Sequence, residues 1–166
     1  MKNYFIILRG PAGVGKTSVG KELSKKLKGY YVPFSQILKK NNLHYKGGKS
    51  IPEKNFFKAN EIIAPVIMNK LKKGKNVILE SNFYHKSPIK DLIKKINFSR
   101  VLVFTLKASL KNLILRDKFR DKKKKIGKER VISVYKLVKK FDYGIILNTN
   151  NKNKKEVMSE IKSFLK

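Results

Sequence analysis

The chain contains no cysteine and no tryptophan, and only two histidines among its 166 residues. Disulfide staples and thiolate metal sites are therefore excluded, and His44 and His85 are too few for a histidine-rich zinc site. Any metal used here is expected to be a hard cation held by oxygen. Long hydrophobic runs are also missing: no stretch approaches the ~18 to 20 apolar residues of a membrane span. Tyr4 to Leu8 is too short for the apolar region of a secretory signal, so a soluble, cytoplasmic protein with no membrane partner is expected. Acidic residues are scarce as well. Against 41 Lys and Arg stand 11 Asp and Glu, a net charge of +30, where small domains typically carry roughly 2 to 8 charges of either sign. Abundant Lys, Asn and Ile fit a lysine-rich codon usage. That bias should also raise Glu, yet only seven are present, and a field of this strength attracts nucleic acid or another phosphate-rich partner.

The length suits one core, and residues 1–166 read as one domain. Apolar runs alternate with helical patterns. Asn3 to Leu8 reads as a strand, and Val19, Leu23 and Leu27 then form the stripe of a helix packed on a sheet, closed by Gly29. Tyr30 to Phe34 reads as a second strand, followed by a short helix through Ile37 and Leu38. Residues 44–52 (HYKGGKSIP) read as a loop. Residues 54–73 read as a helix with a break or kink at Pro65. Val77 to Glu80, Val101 to Leu106 and Gly144 to Leu147 are further strand-like runs, each followed by a helical stretch. The last of these, Glu156 to Lys166, puts Val157, Ile161 and Leu165 on one face. Alternating strands and helices imply right-handed crossovers and a parallel sheet covered on both faces. The expected architecture is a three-layer α/β domain with about five strands.

The stretch GPAGVGKTS, residues 10 to 18, carries the chemistry. Gly10, Gly15, Lys16 and Thr17 match G-x-x-x-x-G-K-[ST], and the match falls between an expected strand and helix. Through Gly10, Pro11, Ala12, Gly13 and Val14, and on through Gly15, Lys16, Thr17 and Ser18, the backbone can turn its N–H groups onto phosphate oxygens. Such a turn needs conformations that glycine reaches without strain. The helix N-terminus that follows favours an anion. Lys16 adds a mobile charge for the β- and γ-phosphates, and the Thr17 hydroxyl can complete a Mg²⁺ shell.

This loop, the short domain, the central NVILESNFYHKS and the later LKNLILRDKFRD resemble the small P-loop kinases. That group includes nucleoside monophosphate kinases, shikimate kinase, adenylylsulfate kinase, zeta-toxin-like proteins and polynucleotide or tRNA kinases. The resemblance spans nearly the whole chain. It implies a P-loop NTPase fold with strand order 2-3-1-4-5, transfer of the ATP γ-phosphate, and Mg²⁺. In that order Glu80 ends a strand beside the one feeding the loop, where a carboxylate faces the metal's water shell or accepts the proton of an attacking hydroxyl. Relatives often carry an Asp after the second strand. Here that place reads Pro33-Phe34-Ser35-Gln36, and Ser35 is a poor substitute. His85, five residues past Glu80, is a further candidate for substrate.

Arg116 and Arg120 stand one helical turn apart, in a chain of five arginines, and are expected to share a helix face. In the resembling kinases a lid begins here, and its arginines pack on adenine and grip the transferring phosphoryl group. Residues 116–128 are the expected lid and 35–63 the expected acceptor segment. The loop at Asn148, Thr149 and Asn150 is where such kinases hold the adenine. Lys122 to Lys125 read as mostly solvated.

Two functions follow. The first is an ATP-dependent kinase acting on a hydroxyl or phosphate acceptor, either a small molecule or nucleotide or an RNA or DNA end, the last favoured by the charge. In that case Tyr30, Tyr31, Phe34, Phe56, Phe57, Phe83 and Tyr84, all near lysines, are candidates for stacking on bases. The second is a non-catalytic ATP-gated RNA-binding module in which transfer was lost with the second-strand acid. The sequence leaves monomer and dimer both open.

Overall fold

The structure is a computed structural model describing residues 2–44 and 50–165. Residues 45–49, within the expected loop at 44–52, lie outside the described residues. Five strands, β1 (Phe5–Arg9), β2 (Tyr30–Pro33), β3 (Val77–Ser81), β4 (Val101–Lys107) and β5 (Ile145–Asn148), form one sheet in the order β2-β3-β1-β4-β5. Every neighbouring pair is parallel. Among the described residues seven α-helices connect or follow them: α1 (Lys16–Lys26), α2 (Phe34–Lys40), α3 (Glu53–Lys72), α4 (Lys86–Ile96), α5 (Leu110–Lys118), α6 (Lys128–Val138) and, after β5, α7 (Lys154–Ser163).

The alternation of side chains along β1 divides the core. Phe5 and Ile7 point into one apolar cluster, with Leu79 from β3 and residues of α3 and α4. Ile6 and Leu8 point into the other, with Phe104 from β4 and residues of α1 and α7. Burial on both faces explains why these strands read as continuous apolar runs rather than alternating ones. Register then brings functional positions side by side: Leu8 stands opposite Glu80, and Pro33 at the end of β2 also stands opposite Glu80. The carboxylate thus sits at the C-terminal edge of the sheet, next to the strand that runs into the phosphate loop.

Pro65 neither ends nor interrupts α3, which runs for 20 residues through it. The missing N–H would leave the Glu61 carbonyl without a helical partner, and Pro65 and Glu61 are both exposed, so water can satisfy that carbonyl. Tertiary packing of Ile63, Ala64 and Ile67 holds the helix on either side. Phe34 belongs to α2 rather than to the second strand. It packs with Phe56 and Phe83 at ring separations of 5.3 to 6.2 Å, and Tyr84 meets Phe56 edge-on. These four rings are core, which removes Phe34 and Phe83 from the candidates for base stacking; Phe56 and Tyr84 also reach the cavity wall described below. No helix among the described residues is long and apolar enough to cross a membrane.

Candidate functional site

Strand β1 ends at Arg9, and the chain turns at once through Gly10 to Gly15 into α1. Gly15 caps that helix in the left-handed region at φ 103°, a conformation that a residue with a Cβ adopts at a cost. Gly10 serves a different need, because a Cβ there would lie 2.6 Å from the Leu106 carbonyl oxygen of β4. The N-terminus of α1 has no acidic residue in its first turn and no side-chain cap, so its unpaired N–H groups remain available to an anion.

Lys16 is buried, and its Nζ donates to the Pro11 carbonyl at 2.8 Å. Burial lowers its pKa to about 8; Glu80 opposes the shift, while Arg120 and Arg9 add to it. An ammonium this poorly solvated is primed for a phosphate, which would supply the missing negative charge. The Thr17 hydroxyl donates to Glu80 Oε1 at 3.3 Å, and the Tyr31 hydroxyl donates to the same oxygen at 3.2 Å. Burial, and next the Glu80 charge, push the Tyr31 pKa up, so the phenol stays a donor.

Lys16, Thr17 and Glu80 line a cavity of about 350 Å³ together with Ser35, Phe56, Tyr84, Arg120 and Arg130. Among the described residues Glu80 is the one carboxylate lining it, and Ser35, the expected poor substitute for an acid after the second strand, stands on its wall. A second cavity of about 280 Å³ lies across the loop, bounded by Gly13, Gly15, Ser18, Arg116, Arg120 and Thr149. Arg120 lines both cavities, as do Gly13, Gly15 and Ser18. A nucleotide with its base in the second cavity and its phosphates on the loop would put its terminal phosphate toward the first.

The two arginines do not share a helix face. Helix α5 ends at Lys118, with Phe119 as its C-cap, and Arg120 lies in the turn beyond. Arg116 donates to the Thr149 hydroxyl at 3.1 Å and to the Thr149 carbonyl, tying α5 to the loop after β5. Arg120 pairs with Asp117 at 3.5 Å. Buried Asp117 in turn accepts from the backbone N–H groups of Ile126 and Gly127 at 3.2 and 3.0 Å, which folds residues 119–127 back onto α5. Within that segment Lys122–Lys124 form an exposed 3-10 turn. Asn148 lines neither cavity; its side chain accepts from the Asn150 N–H. His85 stands at the N-cap position of α4 without a side-chain capping bond and lines an open cleft with Lys86, Lys90, Lys140, Tyr84 and Phe141.

Sequence reasoning missed three participants. Arg130 projects from α6 into the first cavity; its signal was the scarcity of arginine. Tyr31 reads in the sequence as a residue of the second strand and a candidate base platform, with nothing local to mark its bond to Glu80. Arg9 is fully buried and donates to the carbonyls of Phe83, Phe141 and Val138 at 3.1, 3.1 and 2.7 Å. Its guanidinium also lies 3.8 Å from the Phe141 ring centroid. Phe83 has a left-handed backbone at φ 37°, strained for a bulky residue, and its neighbours Asn82 and Tyr84 line the first cavity.

No group of three or more His, Cys, Asp or Glu among the described residues could hold a metal by itself. The hydroxyl of Thr17 and the carboxylate of Glu80 are hard oxygen donors within hydrogen-bonding distance of each other. That donor set fits a Mg²⁺ completed by water and phosphate oxygens.

A parallel sheet of order 2-3-1-4-5, with a glycine-rich loop running from its central strand into a helix N-terminus, defines a P-loop nucleotide-binding protein. The family model described as "AAA domain" matches residues 6–136, more than half of the chain, and the chain belongs to that family. Comparison with curated proteins finds no significant match. Among solved structures, a sugar kinase from a Janibacter species superposes with a TM-score of 0.78 at 11% identity, covering 98% of this chain and 94% of that one. A gluconokinase from Sinorhizobium meliloti gives 0.72 at 13% identity, covering 95% and 88%. Shikimate kinase from Acinetobacter baumannii, in complex with shikimate, gives 0.61 at 21% identity, covering 99% and 96%. The fold is that of the small P-loop kinases.

Proposed function

We propose that the protein is a P-loop kinase that transfers the γ-phosphate of ATP to an acceptor hydroxyl held in the cavity beside Glu80. The observation that carries this reading is the convergence of Lys16, Thr17, Glu80 and Arg120 on one cavity that adjoins the phosphate loop. In the proposed reaction the acceptor oxygen bonds to the γ-phosphorus, the bond to the ADP oxygen breaks, and the hydroxyl proton passes to Glu80. Lys16 and Arg120 neutralise charge that develops on the transferring group. Mg²⁺, held through Thr17 and the Glu80 carboxylate, would supply further charge neutralisation on the phosphates. Arg116 and Thr149 bound the adenine side, and residues 119–127 act as the lid.

The acceptor unit is small. Leu38, Ile51, Phe56 and Val134 give the first cavity an apolar wall, Ser35, Ser81 and Asn82 supply neutral polar groups, and Arg130 supplies a cation. Sugar-sized hydroxyl compounds fit this description. The structurally similar sugar kinase, gluconokinase and shikimate kinase favour that class.

A second reading, in which the reacting hydroxyl ends an RNA or DNA strand, is favoured by the cleft of about 420 Å³ that adjoins the first cavity at Tyr84. His85, Lys86, Lys90 and Lys140 line that cleft, and no acid among the described residues does. A thermal-shift screen of sugars, hydroxy acids, nucleosides and short oligonucleotides, run with a non-hydrolysable ATP analogue, separates these readings. A compound that raises Tm only with the analogue present identifies the acceptor. ATP-dependent ADP release must then follow with that compound, and its absence removes the kinase reading.

A further inference from the structure

Glu80 is held by more than the phosphate loop. Its Oε1 accepts from Thr17, on α1, and from Tyr31, on β2. Both hydroxyls use the same oxygen, leaving Oε2 to accept from a substrate hydroxyl or a metal-bound water. Tyr31 in turn is seated in a recess of α1. A Cβ on Gly20 would lie 2.9 Å from Cε2 of the Tyr31 ring and 3.4 Å from the Leu8 side chain. Glycine inside a helix costs roughly 1 kcal/mol relative to alanine, and Gly20 is buried in α1. The recess thus accepts a local penalty in exchange for room at the one place where the Tyr31 ring crosses the helix.

We propose that Tyr31 is a positioning residue for Glu80, seated by Gly20, and that it fixes the carboxylate at the spot where Thr17 and Mg²⁺ need it. In this chain β2 contributes a tyrosine that holds the only carboxylate lining the first cavity among the described residues, whereas Ser35 stands two residues past the end of β2. Without the phenol, Glu80 keeps the Thr17 hydroxyl as a donor, and the terminal torsion of a glutamate is broad and shallow. The carboxylate would then sample orientations in which it no longer faces the Thr17 hydroxyl. Residues that orient a metal-binding group from behind typically alter metal affinity by ~10- to 100-fold when removed.

This inference rests on the nucleotide reading, and its test needs no acceptor. ADP affinity of the full chain is measured by titration calorimetry with Mg²⁺ and with EDTA, and the ratio gives the gain due to Mg²⁺. Tyr31→Phe keeps the ring and its packing. It should leave the EDTA affinity unchanged and lower the Mg²⁺ gain by ~10-fold or more. Gly20→Ala, which displaces the ring while favouring the helix, should lower the same gain, and the double variant should lose no more than Tyr31→Phe alone. A Tyr31→Phe protein with the wild-type gain, or one that loses affinity equally with and without Mg²⁺, overturns the role of Tyr31. A Gly20→Ala protein with the wild-type gain overturns the recess. Wild-type protein that binds no ADP under either condition overturns the nucleotide reading as well.

Discussion

The guanidinium of Arg116 is bonded to the Thr149 hydroxyl at 3.1 Å, whereas Arg120, four residues on, faces both cavities. The two arginines therefore stand in different places relative to a nucleotide. Arg116→Ala should loosen the loop after β5 and weaken ATP binding, with the rate of transfer at saturating ATP largely kept. Arg120→Ala should lower kcat by ~10³- to 10⁵-fold, the range for an arginine that stabilises a transferring phosphoryl group. Steady-state kinetics with ATP varied separates the two. Equal changes in kcat and KM for both variants would contradict the division of roles.

Arg9 is a structural tie rather than a ligand contact. Its three backbone acceptors lie on the loop after β3, at the end of α6 and in the turn that follows, so one side chain from the strand preceding the phosphate loop joins two walls of the first cavity. The Val138 carbonyl belongs to the last turn of α6, where a cation is also favoured by the helix dipole. Arg9→Met removes the donors and leaves these carbonyls unmet, at ~1 to 3 kcal/mol for each buried group. Two of the three bonds are buried, so stability should fall by at least ~2 kcal/mol, and Arg9→Lys should recover part of it. Chemical denaturation gives the value, and a Met variant as stable as wild type would refute the tie.

The phosphate loop was legible because its requirements are local: glycine where the backbone turns and closes on β4, then Lys16 and Thr17 at a helix start. The parallel sheet was legible because both of its faces are buried, giving apolar runs such as Phe5–Arg9 and Val77–Ser81. What escaped the sequence depends on contacts between distant segments. Tyr31 meets Glu80 across 49 positions and Arg9 meets Phe141 across 132, and nothing in the neighbourhood of either residue announces its partner. The shared helix face expected for Arg116 and Arg120 failed because spacing alone cannot reveal that α5 stops at Lys118. Of the break or kink expected at Pro65, the break is absent, because packing and an exposed carbonyl tolerate proline within α3.

The net charge of +30 yields its own prediction. If the acceptor is a strand end, lysines such as Lys86, Lys90 and Lys140 displace counterions from its phosphates. The log of affinity for a ten-nucleotide deoxythymidine strand should then fall linearly with log salt, with a slope near −0.7 for each contact. Four to six contacts give a slope of roughly −3 to −4. Changing the three cleft lysines to glutamine should flatten the slope by about two, while changing Lys25, Lys26 and Lys162 on the far helices should not. Equal flattening by both sets would make the charge a general property of the surface.

The central claim is that this chain moves phosphate rather than merely binding ATP. Its most direct test is transfer of label from γ-³²P-ATP, with Mg²⁺, to the acceptor found in the thermal-shift screen, comparing wild type with folded Lys16→Ala and Glu80→Gln proteins. The account predicts label on an acceptor hydroxyl with wild type, none with Lys16→Ala, and a large fall in kcat with ATP binding retained for Glu80→Gln. Tight ATP binding with no labelled product from any sugar, hydroxy acid, nucleoside or oligonucleotide would contradict it and leave the non-catalytic ATP-gated module as the better description.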